Sequence, residues 1–434
     1  MIEQQKTYLK LILRDGHIHP SQDKVIAAFV YECDTQRKLY YNFDHPDLPK
    51  NSTLKKVVQS LTNKKVFVLN KKTHKYFVSG LNLYDANLFQ FFKDGNVFEP
   101  NKHKFSETLQ MTHHRINGSG IIIPYVVHQK EFDSEIEVVK DSLNGKTDTY
   151  CYKFFNEVVS DTLFEVERNG LHVDTPLFKS YFPNAKVVGG SGEDDTVYTE
   201  YHIYNPTGRP SNKFDSVNYV ALNKADGCRA SFSSRYANGK LLMVDFTGFH
   251  PYIVANLIGY KVPDDETVYE HLAKQYYGVD TVSKDLLSKA KKLTMVNLYG
   301  QISKQYIHIP YFEKTEKLKD KYWEVFTQKG YVKTPIYKRK ITANHITDPN
   351  KNKLFAYIIQ ATETEYGLNS LSNCLKYSFG KSIKPILYIY DSILFDIDGD
   401  VPQSEIDDIV NIIRGNRFKV KVYVGNNYND LKLV

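Results

Sequence analysis

Short apolar runs open the chain. TYLKLIL at 7–13, KVIAAFVYE at 24–32 and RKLYYNF at 37–43 carry the alternation and the β-branched and aromatic enrichment of strands, with turn-rich stretches between them. The period then lengthens: LKKVVQSL at 54–61 predicts a helix, KVFVL at 65–69 a strand, and YDANLFQFFK at 84–93 a second helix. The pattern therefore predicts a small α/β layer within residues 1–150. Residues 94–150 give mixed signals, and GSGIIIPYVV at 118–127 reads equally as strand or buried helix.

From Tyr152 to Val166 apolar positions recur at helical spacing, and Gly170 closes the segment. NAKVVGGSGEDD at 184–195 is glycine-rich and acidic, which marks a linker or loop. The remainder predicts two long helices, 283–298 and 353–378, and a strand pair around ILYIYDSILFDID at 386–398. The helix EIDDIVNIIRG and a terminal strand FKVKVYVG follow, and there is no internal repeat.

Composition narrows the picture. Among 434 residues, 41% are hydrophobic and 25% charged, with 33 Tyr and 25 Phe, enough for several folded cores; a disulfide-stapled module and wholesale disorder are both excluded. Fifty-seven Lys and Arg against 50 Asp and Glu leave a charge of +7, which permits a polyanionic partner without requiring one. Lysines concentrate in the second half, at Lys289, Lys291 and Lys292, at Lys314, Lys317, Lys319 and Lys321, and at Lys338 and Lys340 around Arg339. Such clusters are solvated faces or a track for a phosphate backbone. Cys33, Cys151, Cys228 and Cys374 lie far apart with no CxxC, which disfavours a zinc site or disulfide lattice. The start lacks a signal-peptide pattern and no run approaches about 18 apolar residues, so the expectation is a soluble protein of a reducing compartment, cytoplasmic or nucleoid-associated, or in the host cytoplasm if virus-encoded.

Two carboxylates stand out. In LLMVDFTGFHPYIVANLIGY at 241–260 an apolar strand ends on Asp245, and a helix-like run begins after Pro251. In ILYIYDSILFDID, Asp391 interrupts two apolar half-strands as the turn of a hairpin. Two acids on rigid strand ends are the minimum needed to hold two Mg²⁺ ions ~3.5–4 Å apart for in-line displacement at phosphorus. Between them, Lys291, Met295 and Tyr299 are spaced by four and form one helical stripe. That stripe suits a nucleoside triphosphate, with the cation on phosphates, the thioether over sugar and the ring under the base pair; an amphipathic helix whose Met and Tyr are core residues would have the same spacing.

These segments resemble the family A DNA polymerases. LLMVDFTGFHPYIVANLIG is similar to their first palm motif, AKKLTMVNLYG to the fingers helix, and YIYDSILFDI to the last palm motif. YHIYNPTGRPSNKFDSVNYVAL at 201–222 resembles the TGR segment and puts Arg209 and Asn218 at template-primer and substrate positions. GYVKTPIYKRK at 330–340 resembles the fingers-to-palm hairpin, and YIIQATETE at 357–365 the helix whose glutamine, Gln360, follows the minor groove. All six blocks stand in family order. The resemblance implies an α+β and α/β multidomain chain: a polymerase palm with an antiparallel sheet and helical fingers, preceded by a ribonuclease H-like, exonuclease-like α/β domain. Its expected divisions are 1–150 for the exonuclease-like domain, 151–198 for a connecting helix and reduced thumb, and 199–434 for palm and fingers, the fingers at about 260–345.

Departures from the family pattern qualify the chemistry. His250 stands where DNA-polymerising members carry a glutamate that excludes the ribose 2′-hydroxyl, and Met295 replaces an aromatic ring. Leu287 replaces a triphosphate-binding arginine, with Lys284 or Lys289 as possible substitutes. Tyr390-Asp391-Ser392 lacks the auxiliary glutamate of the last motif. In the first domain no carboxylate lies between Thr7 and Arg14, His74 replaces an expected aspartate, and Asp85 has the position of a helix cap; a nuclease without its metal-holding acids would be inert. The HIH at 17–19 suits a solvated loop better than a metal site. Only 24 residues separate Asp174 from Thr199, too few for a helical thumb, so low processivity or a partner protein is expected.

The resemblance thus implies a template-directed DNA polymerase without proofreading. Asp245 and Asp391 would be its catalytic metal ligands for two Mg²⁺ ions, with Mn²⁺ as a substitute. Lys291, Met295, Tyr299, His250 and Arg209 would meet the dNTP, and Asn218, Gln360, Lys338, Arg339 and Lys340 the primer-template. An RNA-synthesising or sugar-promiscuous polymerase and an inactive DNA-binding scaffold are the alternatives.

Overall fold

The computed structural model describes residues 4–16, 18–98, 122–189, 195–212, 214–215, 217–415 and 417–434. His17 of the HIH triplet, residues 118–121 of the glycine-isoleucine run and residues 190–194 of the acidic loop lie outside the described residues. The chain forms two compact units that divide between Phe164 and Glu165.

The first unit is built on a five-stranded sheet of β1 (Lys6–Leu13), β2 (Val25–Glu32), β3 (Arg37–Asn42), β4 (Lys65–Val68) and β5 (Leu83–Asp85). Their order is β3-β2-β1-β4-β5, antiparallel from β3 to β1 and parallel from β1 to β5. Alternation along β1 decides which side chain goes where. Tyr8 and Ile12 pack with Phe29, Phe67, Phe132 and Ile136 on one face, whereas Leu9 joins Ala28, Val30, Val66 and Leu61 on the other. Of the ambiguous apolar run only its last three residues, 125–127, enter a helix, Tyr125–Asn144, in which Phe132, Ile136, Val139 and Leu143 supply a stripe at helical spacing against the sheet. His19 is a correction: at 4% exposure it is buried, edge-on to Tyr76, rather than part of a solvated loop.

Asp85 serves as a cap. Its carboxylate accepts the backbone N–H of Leu88 at 3.1 Å and that of Lys71 at 3.0 Å, closing the first turns of helices Ala86–Asp94 and Lys71–Val78. The π-wound segment Phe154–Val159 docks beside it, since Asn156 accepts the Asp85 N–H at 2.9 Å and donates to the Leu83 carbonyl at 3.1 Å. These bonds tie residues 151–164, expected to be the start of a connector, into the first unit.

The second unit contains an antiparallel sheet ordered Ile383–Ile389, Ser392–Ile397, Lys240–Phe246, Val420–Gly425, Lys432–Leu433. Helices Phe249–Leu257, Lys351–Tyr377 and Gln403–Arg414 accompany it. The first of these starts before Pro251, which sits in the opening turn where a missing N–H is harmless. Between sheet strands lie the helices Val268–Tyr277, Lys284–Tyr299 and Pro310–Lys329, then a small hairpin of Tyr331–Lys333 with Lys340–Thr342. Lys319 is not on a solvated face: it is fully buried and donates to the carbonyls of Asn297 (3.3 Å) and Gly300 (2.8 Å) and to Asn352 (3.1 Å). It therefore caps the C-terminal end of the helix carrying Tyr299. Among the described residues, 170–198 hold only the helix Thr175–Tyr181 and the short strand pair of Leu171–His172 with Thr196–Val197. No helix in them is long and apolar enough to cross a membrane.

Replacing Asp85 with Ala removes caps from two helices at once and is expected to lower the stability of the first unit by about 1–3 kcal/mol, with Asp85→Asn losing less. Urea unfolding followed by far-UV circular dichroism measures the difference; an unchanged midpoint for Asp85→Ala would contradict the capping role.

Candidate active site

The Lys240–Phe246 strand runs Leu241, Leu242, Met243, Val244 into the sheet and delivers Asp245 near its end, opposite Ser392 on one neighbouring strand and Lys421 on the other. Ser392 follows directly on Asp391, whose own carbonyl accepts the Phe246 N–H at 2.8 Å. The register thus sets the two aspartates side by side. Asp391 lies in the two-residue turn between Ile389 and Ser392, where Tyr390 adopts φ +55°. A bulky residue in that left-handed region is strained by about 1–2 kcal/mol. Compensation is visible: the Arg209 guanidinium stacks over the Tyr390 ring at 4.2 Å, and Tyr201 holds the adjoining strand by accepting the Tyr388 N–H (2.8 Å) and donating to its carbonyl (2.9 Å).

Burial and the Asp391 charge push the Asp245 carboxyl up to about 7, although Lys421 and Lys291 oppose the shift. Asp391 keeps an open face, yet crowding neighbours and then the Glu363 charge raise its pKa as well. Two crowded carboxylates, one of them raised by the charge of the other, could hold a cation. Among the described residues no third His, Cys, Asp or Glu completes a cage. Two oxygen donors with places left for water and phosphate suit Mg²⁺, which is held by one or two carboxylates.

The predicted helical stripe forms as expected on Lys284–Tyr299. Lys291 is exposed, lies 5.7 Å from the Tyr269 ring centre and bears electrostatically on Asp245. Met295 receives the Tyr269 hydroxyl at 3.7 Å, and Tyr299 bonds to Nδ1 of His250. His250 reaches it because Gly248, at φ +63°, turns the strand into the next helix; a Cβ there would meet Val268 at 2.9 Å. Gln360 bears on the Tyr299 side chain as well. Of the substitutes considered for Leu287, Lys289 is paired with Asp285 at 2.7 Å, while Lys284 is exposed.

Other expectations shift. Arg339 is 1% exposed and turned inward, with one guanidinium nitrogen 3.3 Å from the Asn205 carbonyl, so in this structure it offers no surface to DNA; its flanking Lys338 and Lys340 are exposed. Asn218 is exposed at the start of the short turn Tyr219–Ala221. Ser392 is 5% exposed, and its hydroxyl lies 3.5 Å from the Ile389 carbonyl. Three residues escaped the sequence reading: Glu363, Lys421 and Tyr269. Glu363 had a signal, its i+3 spacing from Gln360 on one helix face; Lys421 and Tyr269 are brought in by strand register and helix packing.

No family model and no curated protein matches the chain. A solved structure does: the POL domain of Pol1 from M. smegmatis, in complex with DNA primer-template and dNTP. It is similar with a TM-score of 0.73 at 13% sequence identity, over 98% of this chain and 96% of that one. The chain therefore has the fold of a Pol1-type, family A DNA polymerase.

A raised carboxyl pKa means that the folded protein holds a proton which the unfolded chain has already released. Stability contributed at Asp245 accordingly falls as pH rises from about 4 to about 7 and stays low above that. Asp245→Asn is expected to stabilise the metal-free protein at about pH 8 by about 1–3 kcal/mol and to change little near pH 4. Thermal unfolding in chelator across this range checks it; equal stabilisation at both ends would remove the ionic cause.

Proposed function

We propose that the chain is a template-directed DNA polymerase that adds deoxynucleotides to a primer 3′ end. The observation that carries this reading is the juxtaposition of Asp245 and Asp391 at one end of an antiparallel sheet, within a Pol1-type fold. The solved relative is titled as a complex with primer-template and dNTP, which supports the same ligands here. Asp245 and Asp391 would hold Mg²⁺ or Mn²⁺, which when bound supplies activation of the primer hydroxyl and stabilisation of the leaving pyrophosphate. Lys291 meets the triphosphate as a point charge. Tyr299 and His250 face the sugar with Met295 alongside, and Arg209, Gln360 and Asn218 take the primer-template side. Lys338 and Lys340 contact the backbone, so binding depends steeply on salt.

The second unit divides on this reading into a palm and helical fingers, and the first is a ribonuclease H-like domain that has lost its nuclease. Its sheet order supports the former statement. In support of the latter, the Lys10 ammonium sits 2.9 Å from Glu131 and 2.8 Å from Glu135, so a protein cation already occupies the space between that carboxylate pair. Burial opposes ionisation of Glu131, yet His128 and Lys10 bring its pKa down to about 2. The short stretch between Asp174 and Thr199 supports a reduced thumb, hence short products unless a partner protein retains the DNA.

Asp245→Ala and Asp391→Asn should each lower primer extension by at least ~10³-fold while leaving primer-template affinity within several fold. Extension at the wild-type rate by a folded Asp391→Asn protein would defeat the polymerase reading, and absence of extension by the wild type would favour the scaffold instead. The same preparations should release no mononucleotides from single-stranded 3′ ends in Mg²⁺ above the Asp245→Ala background; release equal to that of a proofreading enzyme would restore a nuclease to the first unit.

A further inference from the structure

Glu363 is 1% exposed, near the middle of the Lys351–Tyr377 helix. Its carboxylate touches Arg209 at 3.0 and 2.9 Å through its two oxygens, and Oε1 lies 3.0 Å from Nε2 of His250. The other ring nitrogen of His250 faces the Tyr299 hydroxyl. The N–H direction at Nε2 is off the line to the carboxylate, so the contact acts as an attraction between charge and N–H dipole rather than as a linear hydrogen bond. We propose that Glu363 is a positioning residue for sugar selection: it keeps the His250 proton on Nε2, which commits the Tyr299 hydroxyl to donating to Nδ1. This inference rests on the polymerase reading for its consequence, though not for its geometry.

The argument follows from donor and acceptor counts. Arginine only donates: its guanidinium donates to Glu363 Oε1 at 3.0 Å and lies 2.9 Å from Oε2, so the two groups meet as opposite charges. A neutral imidazole has one protonated nitrogen, and a carboxylate beside Nε2 selects that one. Nδ1 is then an acceptor, and the Tyr299 proton goes to it. A hydroxyl that donates to Nδ1 has no donor left for a ribose 2′-oxygen. An incoming NTP would bury its 2′-hydroxyl against it poorly paired, and unpaired polar groups are what give such sites their large discrimination. Glu363 thereby lets a histidine act as the hydrogen-bond acceptor that a carboxylate at position 250 would otherwise provide.

The test compares full-length wild type with Glu363→Gln and Glu363→Asp, using isotope-labelled histidine and proton–nitrogen correlation spectra, with His250→Phe to assign the signal. The wild type and Glu363→Asp should show the ring protonated on Nε2, and Glu363→Gln a mixture or the opposite tautomer. Single-nucleotide insertion of dATP and ATP opposite template T is then measured on the same proteins. Glu363→Gln should keep dATP insertion within about fivefold and raise the ATP-to-dATP ratio by about tenfold or more, with Glu363→Asp close to wild type. A wild-type ring protonated on Nδ1 overturns the proposal by itself, even should the glutamine variant fail to fold. An unchanged tautomer and unchanged ratio in a folded Glu363→Gln overturns it too. If the wild type extends no primer, the polymerase reading falls, while the spectra still decide whether Glu363 sets the histidine proton.

Discussion

Three carboxylates share one end of the palm-like sheet, and the protein neutralises only one of them. Glu363 is matched by Arg209, but Asp245 and Asp391 are left to repel each other, with Lys421 and Lys291 too weak to bring Asp245 back to the ordinary carboxylate range. Much of the second unit can be understood as the support this arrangement needs. A strained turn at Tyr390 is held from above by Arg209, the adjoining strand by Tyr201, and the strand carrying Asp245 by ladders on both sides. Charges that disfavour the fold persist only where the surrounding structure over-determines them, and such places are candidate sites of chemistry.

The Lys351–Tyr377 helix transmits that support. It is buried on most of its circumference, and its acids face separate tasks. Glu363 meets Arg209 and His250, whereas Glu365 accepts the Thr334 hydroxyl at 2.5 Å and the Tyr337 N–H at 3.2 Å, fastening the small hairpin after the fingers-like helices. Gly367 lets the helix backbone approach Tyr388, whose hydroxyl would lie 2.4 Å from any Cβ there. The inward turn of Arg339 belongs to the same fastening, since its charge bears on Glu365. A cation placed by sequence on a basic surface is thus matched by a buried acid two residues from Glu363.

In the first unit a protein cation takes a comparable role. Tyr8 and Lys10 project from one face of β1, Tyr8 donating to Glu135 at 2.6 Å while Lys10 spans Glu131 and Glu135. The buried cluster is closed by opposite charge, in contrast to the open pair in the second unit. Two acid clusters in one chain are therefore distinguished by what answers them: an internal lysine in one, and no sufficient internal cation in the other.

Local pattern was enough to place the strands around 7–43, 65–69 and 386–398, the helices at 54–61, 84–93, 283–298 and 353–378, Asp245 and Asp391 at strand ends, and the Lys291–Met295–Tyr299 stripe, because period and turn chemistry act over a few residues. The same holds for Asp85 as a cap. The helices Lys71–Val78, Val268–Tyr277 and Pro310–Lys329 were not read from that pattern. Burial of long cations was not legible: Lys319 and Arg339 look like any exposed basic residue until a helix end or a buried acid reaches them from another segment. The 118–127 run could not be read either way from its apolarity, and the helix after Pro124 is chosen by the sheet face it covers. Above all, the sequence pointed to both His250 and Tyr299 at the nucleotide but did not reveal the carboxylate behind them. Residue 363 is 113 positions from residue 250, and only the crossing of two helices at the sheet brings Glu363 within 3.0 Å of the histidine. Contacts of that kind depend on tertiary packing, and with them the direction in which a hydroxyl points its proton.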